Sequence, residues 1–168
     1  MPREYAYYLI QSSLNEIWAK TLSFWKEIKG KVKEQSISPN GCTRFMKIST
    51  GTRMRIYAFS FGESYEMHFG YDSAQKLTYI TIEIDYSIFG GRGFIWKMPR
   101  ETIDEWAHTM GVTPNKMEGK QSKAFFEIQT KIDQFGDSSE NPEEKYCQYC
   151  GVKNTLLETY CIQCGSKI

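Results

Sequence analysis

Residues 62–86 read GESYEMHFGYDSAQKLTYITIEIDY, and apolar and polar side chains alternate on both sides of the segment SAQK, residues 73–76. Alternation with a period of two is typical of a half-buried β-strand, and a short polar interruption of this kind predicts a hairpin turn. With the turn at SAQK, four pairs of side chains lie opposite one another on one face. These pairs are Tyr65 and Ile84, Met67 and Ile82, Phe69 and Ile80, and Tyr71 and Thr78. A shift of one residue would turn the whole set to the other face, so the pattern predicts this register.

An aromatic stripe continues upstream of this hairpin, where the segment GES predicts a second turn. That turn would extend the apolar face by a third strand, with Phe61 beside Tyr65, Phe59 beside Met67 and Tyr57 beside Phe69. One interpretation of the stripe is a packed core, and the other is the lining of an apolar pocket that holds a ligand. Its members are Tyr57, Phe59, Phe61, Tyr65, Met67 and Phe69.

The opposite face of the predicted hairpin is polar. It carries Glu66, His68, Asp72, Thr81, Glu83 and Asp85. The simplest interpretation is an outer sheet face in contact with water. Glu66 and Glu83 face each other in the register above, however, and like charges paired across strands are destabilising. An acid–base or metal site at this face is therefore the alternative.

Helices are predicted before and after the strands. Residues 3–11 read as a strand, after which Ser13 begins a helix whose apolar positions recur every three or four residues up to Gly30. Pro99 begins a second helix that ends at Gly111, and a third runs from about Ser122 to Gly136. Together these elements predict an α+β domain: an antiparallel sheet, one helix in the N-terminal half and two C-terminal helices.

This order of elements is similar in topology to the helix-grip fold of the START and Bet v 1 superfamily, over roughly residues 3–111. In that superfamily a curved antiparallel sheet wraps around a helix and encloses an apolar cavity. The resemblance implies a main domain that binds an apolar small molecule or a lipid. The chain departs from the superfamily because the helix at 99–110 is short and another helix follows it.

Three further features of the main domain are weaker candidates for a site. The loop FGGRG, residues 89–93, has glycines and an arginine that could bind an anion, but it lacks the spacing of a nucleotide-binding loop. We expect Cys42 to be a small buried residue and His108 to lie at the surface of its helix. With a net charge of +1 and no basic stripe, the chain does not resemble a dedicated nucleic-acid binder.

The acidic segment DSSENPEEK, residues 137–145, predicts a linker between a domain of residues 1–136 and a tail of residues 146–168. The tail holds four of the five cysteines, as two CxxCG pairs: Cys147 with Cys150 and Cys161 with Cys164. Two such pairs favour one tetrahedral zinc ion. The alternatives are two disulfides, which intracellular proteins rarely form, and a thioredoxin-like redox pair, which needs a βαβ unit.

The pattern YCxYCGxxN followed by YCxxCGxxI resembles the small zinc-ribbon modules at the ends of many archaeal and bacterial proteins. The resemblance implies that Cys147, Cys150, Cys161 and Cys164 bind one structural Zn²⁺. Such modules contact proteins as well as nucleic acids. Four thiolates leave no open position for water, so the zinc is not expected to be catalytic.

No apolar run approaches the roughly 20 residues of a membrane-spanning helix, and MPREYAYYLIQSS does not resemble a signal peptide. We therefore expect a cytoplasmic protein. The leading hypothesis is a non-enzymatic zinc protein whose main domain binds an apolar ligand and whose ribbon contacts a partner macromolecule. The alternative is an adaptor in transcription or translation whose ribbon binds nucleic acid or a large complex. The third is an enzyme that uses the face of Glu66, His68 and Glu83.

Overall fold

A computed structural model describes residues 3–51, 53–55, 58–60, 62–86, 97–137, 144–147, 149–151, 153–155, 159–161 and 163–167. The elements in chain order are β1 (Arg3–Ile10), α1 (Leu14–Glu27), β2 (Lys31–Ile37), β3 (Thr43–Ser49), β4 (Arg53–Arg55), β5 (Ala58–Ser60), β6 (Glu63–Asp72), β7 (Leu77–Tyr86), α2 (Lys97–Thr109), α3 (Lys123–Asp137), β8 (Glu144–Tyr146) and β9 (Lys153–Thr155). None of the helices in these parts of the chain is both long and apolar enough to cross a bilayer.

The principal sheet has five antiparallel strands in the order β1-β7-β6-β3-β2. Together with three helices it confirms the α+β class. The hairpin of β6 and β7 has the predicted register, with Tyr65 opposite Ile84 and Met67 opposite Ile82. Local alternation was sufficient here because the two strands are joined by a short turn, which limits the possible pairings.

The predicted pairing of a strand containing Phe59 with β6 was wrong. The second neighbour of β6 is β3, which places Met46 opposite Met67 and Ile48 opposite Tyr65. Phe59 instead lies in β5, which pairs with β4 in a separate two-stranded hairpin. Tyr57 and Phe61 lie outside the described residues. A non-local strand took the place because β3 brings its own apolar residues, Met46 and Ile48, to the same face.

Helices α1 and α2 cover the apolar face of the sheet, called here the inner face. Trp25 of α1 packs on Tyr65 with ring centroids 4.7 Å apart, and Trp18 packs edge-on against Phe69 at 5.4 Å. Trp106 of α2 packs against Tyr8 of β1 at 5.2 Å. Trp25 and Trp106 are fully buried, and truncating such a residue to alanine costs about 3–5 kcal/mol.

Helix α3 packs on the other face, called here the outer face. The sequence predicted that this face is solvated, and the prediction was wrong for the part that α3 covers. Thr81 is fully buried there and donates a hydrogen bond from its hydroxyl to Gln129 of α3. Gly70 allows the close approach, since a Cβ at this position would lie 3.0 Å from Ile132 Cα. The apolar side chains that α3 turns inward are Phe125, Ile128 and Ile132. A polar strand face is thus buried over part of its length because the helix brings the missing apolar surface.

The ends of α1 show both the predicted start and an unpredicted detail. Ser13 Oγ accepts a hydrogen bond from Glu16 N at 3.3 Å, which confirms the predicted N-cap. At the other end it is Lys29 that adopts a positive φ of 60°. Gly30 is required for a different reason, because a Cβ there would lie 2.9 Å from the Trp25 ring.

Candidate metal centre

The four cysteines of the tail converge on one point. Their Sγ atoms all lie within 4.8 Å of one another. The separations between the two CxxC pairs are short, at 3.5 Å from Cys147 Sγ to Cys164 Sγ and 3.5 Å from Cys150 Sγ to Cys161 Sγ. No disulfide joins any of the four in the described part of the chain. A single metal ion could therefore contact all four sulfurs.

The spacing of the sulfurs can be compared with a known coordination geometry. A tetrahedral ion with metal–sulfur bonds of about 2.3 Å places its ligands about 3.8 Å apart. The observed separations, from 3.5 Å to at most 4.8 Å, bracket that value. Thiolates are soft ligands, which favour zinc over magnesium or calcium. The residues present therefore fit a four-coordinate metal site.

Each cysteine pair lies in a tight turn of the same construction. Gly151 N donates to Cys147 O at 2.9 Å, and Gly165 N donates to Cys161 O at 2.9 Å. Both glycines have φ of 71°, a left-handed conformation that other residues adopt at a cost. The strands β8 and β9 pair antiparallel next to the first turn. The repeated CxxCG pattern is thus the sequence of two equivalent turns.

The four ligands differ in exposure. Cys147 and Cys161 are buried, whereas Cys150 and Cys164 are exposed. The backbone N–H of Tyr149 donates to Cys147 Sγ, with the nitrogen 3.4 Å from the sulfur. Hydrogen bonds to Ser166 lower the pKa of the Cys164 thiol, and the Ser166 hydroxyl oxygen lies 3.2 Å from Cys164 Sγ. Such contacts favour the thiolate form that a metal requires.

The acidic cluster on the outer face is organised as ion pairs. Lys47 Nζ lies 2.5 Å from Glu66, while Arg3 lies 2.6 Å from Glu83 and 2.8 Å from Asp85. Burial raises the pKa of Glu83, although Arg3 opposes the shift. Each of these acids therefore has a cation beside it, which offsets the repulsion between Glu66 and Glu83.

His68 lies farther along the outer face and is half-buried. Its ring centroid is 4.8 Å from that of Phe45. Burial lowers the pKa of His68, and the nearby acids Glu66 and Asp133 oppose this shift. Asp72 is used in the turn between β6 and β7, where its carboxylate accepts from Ala74 N at 2.9 Å. Among the six polar residues of this face, three are in ion pairs, Asp72 is in a turn, Thr81 contacts α3 and His68 lies beside Phe45.

The aromatic stripe is only partly described. Tyr65, Met67 and Phe69 are fully buried on the inner face. Trp25 lies against Tyr65, and its indole Nε1 is buried without a hydrogen-bond partner among the described residues. A cavity lined by the whole stripe stays a prediction, because Tyr57, Phe61 and the side chain of Phe59 lie outside the described part.

Among the remaining sequence candidates, the structure describes Cys42 and His108. Cys42 is half-buried, which raises the pKa of its thiol, and His108 is exposed on α2. The FGGRG loop lies outside the described residues. Sequence reasoning missed two buried acids of the inner face, Glu4 and Glu63. Both acids occupy strand positions that alternate with the outward-facing residues, as the inner apolar residues do. This alternation in the sequence could have predicted their burial.

Both missed acids are bound to polar partners. Arg100 of α2 forms a bidentate ion pair with the carboxylate of Glu4, whose residue is 0% exposed. The Glu63 carboxylate accepts a hydrogen bond from the Thr50 hydroxyl, and Glu63 N donates to Thr50 Oγ1 at 3.0 Å. The Glu4 pair links β1 to α2 across the edge of the inner face, so its role is structural.

No protein-family model matches the chain, and no curated protein matches it. Among solved structures the chain is similar to the crystal structure of TTHA0849 from Thermus thermophilus. The two share 13% identity with a TM-score of 0.31, over 65% of this chain and 91% of that chain. At this TM-score the likeness assigns neither a fold family nor a function. The structure itself shows an α+β fold and a four-cysteine cluster within reach of one metal ion.

Proposed function

We propose that residues 146–168 form a zinc ribbon that holds one structural Zn²⁺ and contacts a partner macromolecule. The observation that carries this proposal is the convergence of Cys147, Cys150, Cys161 and Cys164 within 4.8 Å. With all four positions of a tetrahedron occupied by thiolates, the ion has no site for substrate or water. The zinc therefore serves folding, and the protein acts by binding.

The ribbon needs the metal because it is too small to be stabilised by burial alone. In zinc-finger peptides of similar size the metal supplies on the order of 10 kcal/mol or more. Tyr149 and Tyr160 are 79% and 61% exposed beside the cysteine turns. Exposed aromatic side chains are enriched where proteins bind partners, so these two tyrosines are the part of the ribbon that we expect a partner to contact.

For the main domain we propose a role in binding an apolar small molecule or a lipid, as in a helix-grip protein. The support is the inner face, where an aromatic stripe includes Tyr65 and Phe69. The unpartnered Nε1 of Trp25 adds to it, because an indole N–H buried without an acceptor is costly. A ligand with one hydrogen-bond acceptor and an apolar body would satisfy both features.

Native mass spectrometry of the purified full chain tests both parts of the proposal. We expect one zinc per chain, lost on addition of a chelator, and a retained apolar molecule that organic extraction removes. Cys161→Ser should abolish zinc retention, whereas Cys42→Ser is the matched control and should retain it. A chain that folds fully with no metal would refute the ribbon, and an empty main domain after exposure to lipid would refute the ligand.

The competing partner for the ribbon is nucleic acid. The exposed tyrosines could stack on bases, and such binding would weaken steeply with added salt. Fluorescence anisotropy with labelled single-stranded RNA at two salt concentrations separates the possibilities. Salt-sensitive binding that Tyr149→Ala weakens would favour the adaptor hypothesis, and its absence would favour a protein partner.

A further inference from the structure

Arg44 differs from the other arginines whose side chains the structure describes. Arg3 pairs with two carboxylates of β7, and Arg100 pairs with Glu4. Arg44 is half-buried on the inner face of β3, and no carboxylate pairs with it among the described residues. A guanidinium remains charged at any physiological pH, so this one carries an uncompensated positive charge.

The contacts of Arg44 hold the guanidinium in place without neutralising it. The guanidinium carbon lies 5.4 Å from the centre of the Trp18 ring, over its face. One terminal nitrogen, Nη2, donates to the side-chain oxygen of Asn15. The Nε atom is buried and has no hydrogen-bond partner among the described residues. Burial lowers the pKa of Arg44, which reflects the same loss of solvent around the charge.

A half-buried guanidinium with an unsatisfied Nε–H and no carboxylate paired with it in the described part of the chain destabilises the protein when no ligand is bound. A buried cation is normally paired, and an unsatisfied N–H of a charged group costs more than that of a neutral one. The cation–π contact with the ring of Trp18 returns only part of this cost. A carboxylate or phosphate beside the guanidinium would compensate its charge, because both anions match the planar donor geometry of arginine.

The surroundings of Arg44 favour an anion as well. Asn15 belongs to the first turn of α1, where Ser13 caps the N–H of Glu16 and the helix dipole is positive. The acid of that turn, Glu16, is ion-paired with Lys20 at 2.7 Å. Ile37 of β2 lies directly opposite Arg44 in the sheet and is 58% exposed. Apolar surface thus adjoins the charged group.

The geometry points to an oxyanion-binding site at Arg44, Asn15 and the first turn of α1, which takes the carboxylate or phosphate of a small molecule. The exposed Ile37 adjoins the site and can contact an apolar part of the same molecule. The site shares no residue with the cysteine cluster, and Trp25 is not among the described contacts of Arg44. Its binding therefore does not depend on the zinc ribbon.

The test is an NMR titration of the zinc-loaded full chain with inorganic phosphate, acetate or octanoate at constant ionic strength. The arginine Nε–H signal that disappears in Arg44→Lys identifies Arg44. We expect saturable shifts of that signal and of the Asn15 side-chain amide with at least one of the three anions. Octanoate binding more tightly than acetate identifies an amphipathic ligand, and phosphate binding alone identifies a free or esterified phosphate.

Two variants give the comparison. Arg44→Gln should weaken binding at least tenfold, whereas Lys33→Gln removes an exposed charge from β2 and should leave it unchanged. Saturable shifts confined to Arg44 and Asn15 in the wild type support the site even if Arg44→Gln does not fold. The inference is overturned if none of the three anions gives a saturable shift, or if a folded Arg44→Gln binds as the wild type does. Added chelator should not change the result.

Discussion

The packing of α3 on the outer face can be tested at Gly70. In Gly70→Ala the new Cβ would lie 3.0 Å from three atoms: Ile132 Cα, Ile132 Cγ1 and Phe135 Cδ2. Carbon atoms pack at about 3.5–4.0 Å, so α3 must move away by roughly 0.5–1 Å. One of the three atoms belongs to the helix backbone, so a side-chain rotation cannot relieve the contact.

The expected magnitude follows from two opposing effects. Overpacking of this kind costs about 1–3 kcal/mol. Replacing glycine by alanine within a strand returns about 0.5–1 kcal/mol of backbone entropy. We therefore expect Gly70→Ala to lower the free energy of unfolding by about 1 kcal/mol.

Urea denaturation followed by tryptophan fluorescence measures this change, since Trp18, Trp25 and Trp106 all lie in the main domain. Gly119→Ala is the matched control, because nothing lies within 4 Å of its added Cβ, and its stability should change by less than about 0.5 kcal/mol. If Gly70→Ala were as stable as the wild type, α3 would not be packed on β6 as described.

Three further predictions concern charge and metal. Because burial lowers the pKa of His68, the unfolded chain takes up the proton first, so this residue costs stability as pH falls below about 6.5. His68→Gln should therefore flatten the decline of the urea midpoint at low pH, and an unchanged decline would contradict this reasoning. Because burial raises the pKa of Glu83, its charge costs stability as pH rises through the titration range of a glutamate. Glu83→Gln should therefore leave the unfolding free energy at pH 7 unchanged or raise it by up to about 1 kcal/mol. Glu66→Gln, which loses the 2.5 Å ion pair with Lys47, should lower the unfolding free energy slightly. A Glu66→Gln variant more stable than Glu83→Gln would contradict this reasoning. Cys161→Ser should collapse the NMR dispersion of residues 146–168 and leave the fluorescence-detected urea midpoint of the main domain unchanged. A lower midpoint in this variant would show that the ribbon and the main domain unfold together.

Much of the fold was predictable wherever the deciding interactions are close in sequence. Ser13 caps α1 through a hydrogen bond three residues away, and the β6–β7 register follows from one short turn. The choice of β3 as the other neighbour of β6 was not predictable in the same way. It depends on contacts between residues distant in the chain, such as Met46 with Met67, and β5 offered a similar alternation of apolar residues nearer to β6.

The candidate metal centre was predictable to the level of its ligands. The CxxCG repeats identify the four cysteines, because two equivalent turns each need a glycine with positive φ. The difference in burial between Cys147 and Cys150 was not predictable, nor was the contact of Ser166 with Cys164. Those features depend on how the two turns face each other in space.

The sequence by itself determined the local structure: which segments are strands and helices, which side of the β6–β7 hairpin is apolar, and which cysteines cluster. Only the tertiary structure decided that α3 covers part of the polar face, that Glu4 is buried against Arg100 and that no carboxylate among the described residues pairs with Arg44. The physical reason is that periodicity reports the direction of a side chain from its own backbone. Whether that side chain meets water, an apolar helix or an opposite charge is decided by elements distant in the chain.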